Sequence, residues 1–437
     1  MTPEVLWTEI HERFDPWAPP ARPKWRIDRT DKGLYKVHVR LNRPFEKRCK
    51  VLVAGTKGAG KTAELLKLAE DRAERDQTFF FDLYQHLQNV IQDPSAINEL
   101  QPWEVCALIG LAVHRGMASR FPTLWPAEPV ERLSEAWTRL IPATSNTPVL
   151  SIGKLAETLA VLVSTAVDGG ASIALATAGK LAGGVRWDRK LGRHERTSDQ
   201  DPRVEALVES VHHVLEKAAE VSGKRLLFVL DGLDQIRNSQ PATRLFIDSA
   251  LLSNLPTVLV ATAPYSMRFD QSLHGARGFE KHYVMNEPVL NKKTPDDPQQ
   301  PGPGLRFFEE LVEARTEGLV DIMDAAELRR LAWSSGGNPR DFMKLVRDAG
   351  GLAFDHGRLR IGPEEVEEAI DGLRRTLAVG LWLQDIEILR AVRAHPEVPP
   401  KGDERTEDLL ANGRLLPYPN GPDWFYPHPT LLPRLDP

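Results

Sequence analysis

Cysteine is scarce in this chain, whose 437 residues contain only Cys49 and Cys106, far apart and without the spacing of metal ligands. This scarcity excludes a framework of disulfide bonds, and it suits a reducing cytosol, so we expect a cytoplasmic protein. The excess of acidic over basic residues is also small, since the formal net charge is −5. No global field therefore draws the chain to nucleic acid or to an anionic membrane, and such contacts would need a local patch.

Long hydrophobic runs are missing as well, and no cationic and apolar signal segment opens the chain. The stretch 155–185 is rich in Ala, Gly and Val, but Asp168 and two glycines interrupt it. Its pieces are shorter than the ~20 apolar residues that a membrane-spanning helix needs. We therefore expect no membrane contact and interpret the stretch as a buried helix followed by an insertion of small residues. A true membrane span is the alternative.

Apolar content is ample, at 41% of residues, and at this length it supports two or three domains. Apolar runs alternate with helical segments from Cys49 onward. The predicted strands are 50–54, 78–84, 225–231 and 257–263. This alternation predicts an α/β fold with a mostly parallel sheet and helices on both faces.

Composition also predicts the domain boundaries. The early prolines of "DPWAPPARPKWRIDRTDKG" indicate an extended arm whose Trp17 and Trp25 dock on something larger. Near the other end, Asn420-Gly421 between two apolar runs is a hairpin signal, and the helices before it complete the order of a winged helix. The predicted segments are an N-terminal arm 1–48, an α/β domain 49–290 with a helical insertion at about 85–200, a linker 291–304, a helical domain 305–377 and a winged helix 378–437.

One glycine-rich stretch carries a specific chemical signal. "GTKGAGKT" fits G-x-x-x-x-G-K-[ST], follows a predicted strand and opens a predicted helix. Backbone N–H groups of such a loop converge on phosphates, Lys61 would reach the β- and γ-phosphates, and the Thr62 hydroxyl would ligate Mg²⁺. The cofactor is predicted to be ATP or ADP with Mg²⁺, because no guanine-specifying N-K-x-D stretch is present. The predicted phosphate-binding residues are Gly55, Thr56, Lys57, Gly58, Ala59, Gly60, Lys61 and Thr62.

The acidic partner of this loop is predicted at the end of "LLFVLD", where Asp231 would hold Mg²⁺ through water. The next residue is Gly232, whereas many fast ATPases have a glutamate there to orient the attacking water. Asp234 is then the best candidate for polarising water, although it is also compatible with a plain surface turn. Together these residues predict an ATPase that hydrolyses slowly.

Three further features refine the prediction. An extra strand between the loop and Asp231, which "TFFFDLY" would supply, indicates the additional-strand class of P-loop NTPases. Thr262 at a strand end is either a sensor of the γ-phosphate or a plain strand threonine. Pro339 would press on adenine and Arg340 would point at phosphate, unless they simply open a helix capped by Asn338. No arginine finger is unmistakable, because all the candidates follow strands: Arg237, Arg244, Arg268 and Arg277.

Four stretches together resemble bacterial AAA+/STAND-type ATPases over about residues 45–437: "GTKGAGKTAELLKL", "LLFVLDGLDQI", "SSGGNPRDFMKLVRDAG" and "LLPYPNGPDWFYPHPTLL". The resemblance implies a P-loop domain, a helical lid and a winged helix, often in signalling or phage defence. It also implies that Gly337-Asn338-Pro339 touches the adenine and that His428 touches the β-phosphate of ADP. Pro427 and Pro429 flank His428, where animal and plant members have methionine and aspartate.

Two main hypotheses of function follow. In the first, the protein is a nucleotide-controlled switch with a hinge near 372–380, self-assembling and acting with a separately encoded effector or sensor. The alternative is a DNA-binding AAA+ ATPase of the loader or remodeller type. Residues 385–437 hold six Lys/Arg against nine Asp/Glu, which is not the footprint of a DNA-binding wing. A membrane-inserted P-loop ATPase is a third hypothesis that rests on 155–185 alone.

Overall fold

A computed structural model describes residues 2–17, 23–31, 33–140, 159–167, 170–176, 198–236, 239–268, 278–418 and 423–436. The chain forms two compact units. The sheet unit consists of Lys36–Ala54 and Leu65–His282, and the lid unit consists of Met1–Tyr35, Gly55–Glu64 and Tyr283–Pro437. The glycine-rich loop and the part of the predicted arm up to Tyr35 thus group with the C-terminal part of the chain.

The sheet has seven strands within the described residues, in the order β4-β3-β2-β5-β6-β1-β7. Strand β5 runs parallel to β2 and β6, whereas β3 runs antiparallel to β2 and β4. The strands are Lys50–Gly55 (β1), Asp76–Asp82 (β2), Val161–Val167 (β3), Gly170–Ala176 (β4), Arg225–Asp231 (β5), Val258–Pro264 (β6) and Phe279–Tyr283 (β7). Near-continuous apolar runs form β1, β5 and β6, as is typical of strands buried on both faces. The predicted α/β P-loop fold class is confirmed.

The sheet order also shows which strand is the additional one. Strand β6 lies between β1 and β5, and β2 lies on the other side of β5. The expectation that "TFFFDLY" supplies the additional strand is therefore wrong, because β6, and not β2, lies between β1 and β5 in the sheet. Because the register pairs Asp82 with Asp231, and Leu230 with Ala261, the final residues of β2 and β5 lie side by side at one edge.

Helices of the sheet unit pack on this sheet. The long helix Pro102–Arg120 begins at a capping box in which Gln101 N donates to Glu104 Oε2 at 2.8 Å. It is buried over most of its length and contacts β3 and the helix Pro202–Ser222. From α2 to α9 the helices are Tyr35–Leu41, Lys61–Arg72 (whose first turn belongs to the lid unit), Leu83–His86, Pro102–Arg120, Glu128–Leu140, Pro202–Ser222, Ser239–Thr243 and Leu251–Asn254.

The expectation of a helix within 155–185 is wrong for the described part of that stretch, which forms β3 and β4. Val161 and Val163 are buried and alternate with the partly exposed Leu162, which is the two-residue period of a strand. The interrupting Asp168 lies outside the described residues, and so does the larger part of the region between α6 and α7. In the part of the chain that the structure describes, no helix has the length and apolar character to cross a membrane.

Within its described residues, the regular structure of the lid unit is helical apart from one hairpin. The predicted arm begins with the helix Pro3–Arg13 (α1), whose Trp7 packs against Gly350 and donates from Nε1 to the Arg358 carbonyl at 2.9 Å. Trp25 also docks, with the Arg315 guanidinium 5.4 Å from its ring centroid. From α10 to α16 the helices are Leu305–Thr316, Ala325–Ser334, Pro339–Asp355, Pro363–Ala378, Leu383–Ala394, Glu404–Ala411 and Leu432–Leu435.

The C-terminal hairpin follows two of these helices, in the order of a winged helix. Strands Leu415–Tyr418 (β8) and Trp424–Pro427 (β9) pair antiparallel, and the turn residues between them, including Asn420, lie outside the described part. The rings of Tyr418 and Trp424 stack with their centroids 4.6 Å apart, and Tyr418 Oη donates to the Gly336 carbonyl at 2.7 Å. The hairpin is thereby fixed to the turn that precedes α12.

Candidate nucleotide-binding site

The glycine-rich loop has the backbone of a phosphate-binding loop. It leaves β1 at Gly55 and enters α3 at Lys61. Gly58 and Gly60 have φ of +85° and +94°, a region that strongly favours glycine. Gly55 is required for a different reason, since a Cβ there would lie 1.9 Å from the Val284 carbonyl oxygen. The spacing of glycines in the motif is therefore explained by the local geometry.

The lysine of the motif is held within the loop. Its side chain is nearly buried, with 5% of the residue exposed. Lys61 Nζ donates to the Gly55 carbonyl at 2.9 Å and to the Thr56 carbonyl at 2.8 Å. Thr62 follows in the first turn of α3. A helix N-terminus, an ammonium group and a tight glycine loop form an environment suited to an anion.

The turn before α12 and the start of α12 donate hydrogen bonds directly to backbone carbonyl oxygens of this loop. Asn338 Nδ2 donates to the Lys57 carbonyl at 2.8 Å, and Arg340 N donates to the Gly58 carbonyl at 3.3 Å. Asn338 Oδ1 meanwhile caps α12 by accepting from Arg340 N at 3.1 Å and from Asp341 N at 3.3 Å. The expected helix cap is present, but the same side chain also bridges to the loop.

Close packing makes this bridge specific. A Cβ at Gly58 would lie 2.5 Å from Asn338 Oδ1, so the loop needs glycine there to admit the turn. Pro339 is buried as the first residue of α12, and the Arg340 guanidinium lies 4.9 Å from the centroid of the Trp17 ring. The expected contacts of Pro339 with adenine and of Arg340 with phosphate stay predictions.

Sequence reasoning missed two charged residues beside the loop. Arg29, from the N-terminal arm, donates from Nη1 to the Ala59 carbonyl at 2.6 Å and also bonds the Met285 carbonyl. Arg29 Nη2 lies 3.1 Å from Glu287 Oε1, and both side chains are almost fully buried, at 3% and 1% exposed. Burial raises the pKa of the Glu287 carboxyl, while the Arg29 charge lowers it. No motif marks either residue, and the arm lay outside the recognised resemblance.

A third residue beside the loop was also missed. Thr56 Oγ1 donates to Asn286 Oδ1 at 3.0 Å, and Asn338 Nδ2 lies 3.4 Å from the same oxygen. The neighbouring Glu287 N donates to the Gly337 carbonyl at 2.8 Å. The segment that follows β7 thus connects the loop to the turn before α12. Its sequence, "VMNEPV", gives no signal by which it could have been found.

In the sheet unit, the predicted polar residues lie where β5 and β6 end. Leu233 N donates to Thr262 Oγ1 at 3.0 Å, so the threonine orients the turn after β5. Asp82, at the end of β2, was not predicted, and its Oδ1 caps the next helix by accepting from Gln85 N at 2.9 Å. Burial raises the pKa of Asp82 to about 6, and the Asp234 carboxylate acts in the same direction. Asp82 and Asp234 therefore lie close enough to repel each other.

The residue after Asp231 has to be glycine. Gly232 has φ +92°, and a Cβ there would lie 2.6 Å from Tyr84 N and 3.0 Å from Asp82 Oδ1. The Asp231 carboxylate folds back on this residue, accepting from Gly232 N at 2.8 Å. A glutamate at this position is excluded by the backbone, and the Asp82 carboxylate lies where its side chain would begin.

His428, which the resemblance assigned to the β-phosphate of ADP, is fully buried. Its Nδ1 lies 2.9 Å from Thr430 Oγ1 and its Nε2 lies 3.7 Å from Asp341 Oδ2, in the first turn of α12. Thr430 N also bonds Nδ1 at 3.4 Å, which makes Nδ1 an acceptor and leaves the proton on Nε2. The ring therefore faces the start of α12, and its contact with a nucleotide stays a prediction.

No protein-family model matches the chain, and no curated protein matches it. Among solved structures, the chain is similar to the Aeropyrum pernix ORC2 protein in its ADPNP–ADP complexes, with 14% identity and a TM-score of 0.43 over 97% of this chain and 95% of that chain. It is similar to the Aeropyrum pernix ORC1 protein in complex with DNA, with 13% identity and a TM-score of 0.40 over 92% and 90%.

A third similar structure is the Thermotoga maritima RuvB Holliday junction branch migration motor. The identity is 14% and the TM-score 0.27, over 52% of this chain and 83% of that chain.

Proposed function

We propose that this protein is an ATP-binding AAA+-type P-loop ATPase that hydrolyses ATP slowly and passes the state of its nucleotide to the lid. The observation that carries the proposal is the direct bonding of the turn before α12 to the loop, through Asn338 on the Lys57 carbonyl and Arg340 N on the Gly58 carbonyl. A phosphate that reorders this loop would move the partners of both bonds. The lid is therefore placed to respond to what the loop binds.

Magnesium fits the donor set. The Thr62 hydroxyl and the Asp231 carboxylate offer the hard oxygen ligands that Mg²⁺ prefers, and Asp231 is only 3% exposed. The ion would supply charge neutralisation on the β- and γ-phosphates. Lys61 would bind the same phosphates, and Thr262 would hold the turn after β5 in place through its bond to Leu233 N. Asp234 is one candidate carboxylate for the attacking water.

The first test is nucleotide binding. Isothermal calorimetry with ATP and with ADP, in Mg²⁺, should detect binding to the wild-type chain and none to Lys61→Ala. The matched control is Lys47→Ala, an exposed lysine before β1, which should bind like wild type. Full affinity in Lys61→Ala would refute the assignment of this loop as the nucleotide site.

The second test separates binding from coupling. Asn338→Asp keeps an acceptor for the cap of α12 but replaces the Nδ2 donor by an oxygen that repels the Lys57 carbonyl. We expect this variant to bind nucleotide yet to release ADP faster than wild type, as measured by displacement of a fluorescent ADP analogue. An unchanged release rate would remove the basis for coupling between loop and lid.

The finer proposal is a switch of the STAND type, with His428 as a lock of the closed form. A charge-assisted hydrogen bond from its imidazole to the β-phosphate would contribute roughly 1.5–3 kcal/mol, enough to change the open fraction tenfold or more. His428→Ala should then exchange nucleotide faster and form a larger species with a non-hydrolysable ATP analogue. Unchanged mass and exchange rate would discard the lock, and with it the support for a role in signalling or phage defence through a separate effector.

DNA binding is the second candidate function. The winged-helix order of α14, α15 and the hairpin supports it, whereas the six basic and nine acidic residues of 385–437 do not. Fluorescence anisotropy with labelled duplex DNA, with and without ATP, is the test. Binding that weakens steeply with salt would favour this function. Growth of the particle mass with DNA alone would favour it over the switch.

A further inference from the structure

A cavity of about 550 Å³ lies within the lid unit, between α11, α13 and the residues that follow β9. Its walls are largely apolar and include Trp333, Val366, Ile370 and Leu432. The Trp333 ring is held in place by a hydrogen bond from its Nε1 to the Pro295 carbonyl at 3.2 Å. Cavities of about 300–1,000 Å³ with apolar walls and a few polar groups are typical of small-ligand sites.

The charges around this cavity balance. Four arginines and four acidic residues line it, so no net charge favours a purely anionic or a purely cationic occupant. Arg393 pairs with Asp296 at 2.9 Å and with Asp436 at 2.6 Å, and Arg330 pairs with Glu367. These pairs neutralise most of the charge that the cavity presents.

Two charged residues of the lining, Arg329 and Glu327, take part in none of these pairs. Arg329 Nε and Glu327 Oε2 are buried, and neither atom has a hydrogen-bond partner among the described residues. The fourth arginine, Arg374, pairs with Asp371 and donates from Nε to the Thr430 carbonyl at 3.0 Å. Because a buried polar atom without a partner is costly, we expect an occupant to offer an acceptor to Arg329 and a donor to Glu327.

The spacing of these two residues indicates the length of the occupant. Both lie on α11, where residues two apart are separated by about 200° around the helix axis, so their side chains leave the helix on opposite flanks, about 10 Å apart. The two charged ends of a single amino acid are about one residue apart, whereas three extended residues span about 10 Å. A tripeptide therefore matches this spacing, and an amino acid does not.

We propose that this cavity binds a short peptide of about three residues with free ends and apolar side chains. The Arg329 guanidinium binds the terminal carboxylate, and the Glu327 carboxylate binds the terminal ammonium. The planar guanidinium suits a carboxylate because it can donate two parallel hydrogen bonds to it. The apolar side chains pack against the walls around Trp333. The proposal does not rest on nucleotide binding, since the residues that carry it lie outside the glycine-rich loop.

The probe is trileucine, titrated into the full chain in a calorimeter at pH 7. Acetylating its N-terminus and amidating its C-terminus should weaken binding about tenfold or more, because each charged hydrogen bond is lost. Arg329→Gln should weaken the binding of trileucine about tenfold but leave the affinity for the C-terminal amide unchanged. Glu327→Gln should behave in the same way with respect to the N-terminal acetyl group. The matched control is Arg306→Gln, which removes an exposed arginine elsewhere in the lid unit and should bind trileucine like wild type.

The pairing of each variant with one end of the peptide is a readout that a merely structural role would not produce. Lys61→Ala should also bind trileucine like wild type, so that failure of the nucleotide site and failure of this cavity are distinguishable. The proposal is overturned if about 1 mM trileucine does not bind the wild-type chain. It is also overturned if the blocked peptide binds as tightly as the free one, or if both Arg329→Gln and Glu327→Gln keep the wild-type affinity.

Discussion

Replacing Arg29 by methionine should loosen the glycine-rich loop. The side chain bonds the Ala59 carbonyl at 2.6 Å and pairs with Glu287 at 3.1 Å, and almost none of either charged side chain is exposed. Methionine keeps the apolar volume but leaves the Glu287 carboxylate buried without its cation. Removing one partner of a buried ion pair typically costs 3–5 kcal/mol.

The cost in Arg29→Met should lie at the low end of 3–5 kcal/mol at pH 7, because Glu287 can bind a proton and so lose its unpaired charge. Without Arg29 the carboxyl should take up a proton, since burial already raises its pKa and Arg29 is the largest influence in the opposite direction. Neutralising a glutamate whose unfolded pKa is about 4.3 costs about 3.7 kcal/mol at pH 7 and about 1 kcal/mol at pH 5. The cost of protonating Glu287 is therefore the upper limit of the stability lost in Arg29→Met, and this limit becomes smaller as the pH falls.

The sign of the pH dependence follows from linkage. In Arg29→Met the folded pKa of Glu287 lies above the unfolded value, so folding takes up a proton above pH ~4.3. The stability of the variant should fall as the pH rises from 5 to 7. Amide hydrogen exchange of residues 55–64 should show about 500-fold lower protection than wild type at pH 7, and only about fivefold lower protection at pH 5.

The double variant Arg29→Met with Glu287→Gln is the matched control. It removes both charges, so its loss of protection should not depend on pH. The prediction would be refuted if Arg29→Met lowered the opening free energy of residues 55–64 by less than about 1 kcal/mol at pH 7, or by the same amount at pH 5 and pH 7. Either result would show that the ion pair does not hold the loop.

Two further predictions concern the sheet unit. Gly232→Ala should destabilise this unit by about 3 kcal/mol or more, because the backbone there is left-handed and the added Cβ would contact Tyr84 N. Gly223→Ala should cost only about 1 kcal/mol, because Gly223 has φ +62° but open space around it. Equal melting temperatures for the two variants would contradict this. Burial lowers the pKa of His86 and of His114 to about 4, so the unfolded chain binds their protons first and stability should fall as the pH drops from 6.5 to 4. The free energies of unfolding from denaturant titrations at pH 7 and pH 5 should differ by about 2 kcal/mol per histidine. His86→Leu should remove the part of this difference that is due to His86.

The sequence by itself determined the elements whose signal is local. The strand ending at Asp231 is predicted to the residue, and the other predicted strands begin and end within two residues of those observed. The loop from Gly55 to Thr62 was found because its glycines are dictated by its own backbone, with φ of +85° and +94° at two of them. The cap by Asn338 is likewise a matter of a few consecutive residues.

Only the tertiary structure decided which distant segments meet. Strands β3 and β4 were mistaken for a helix because small residues obscure the two-residue period, and their place is set by pairing with β2. Arg29, Asn286 and Glu287 lie in segments without a motif, and they reach the loop only because the arm and the segment after β7 pack in the same unit. Asp82 acquires its place beside Gly232 from the register of two strands that are about 150 residues apart in the chain, a relation that no local pattern encodes.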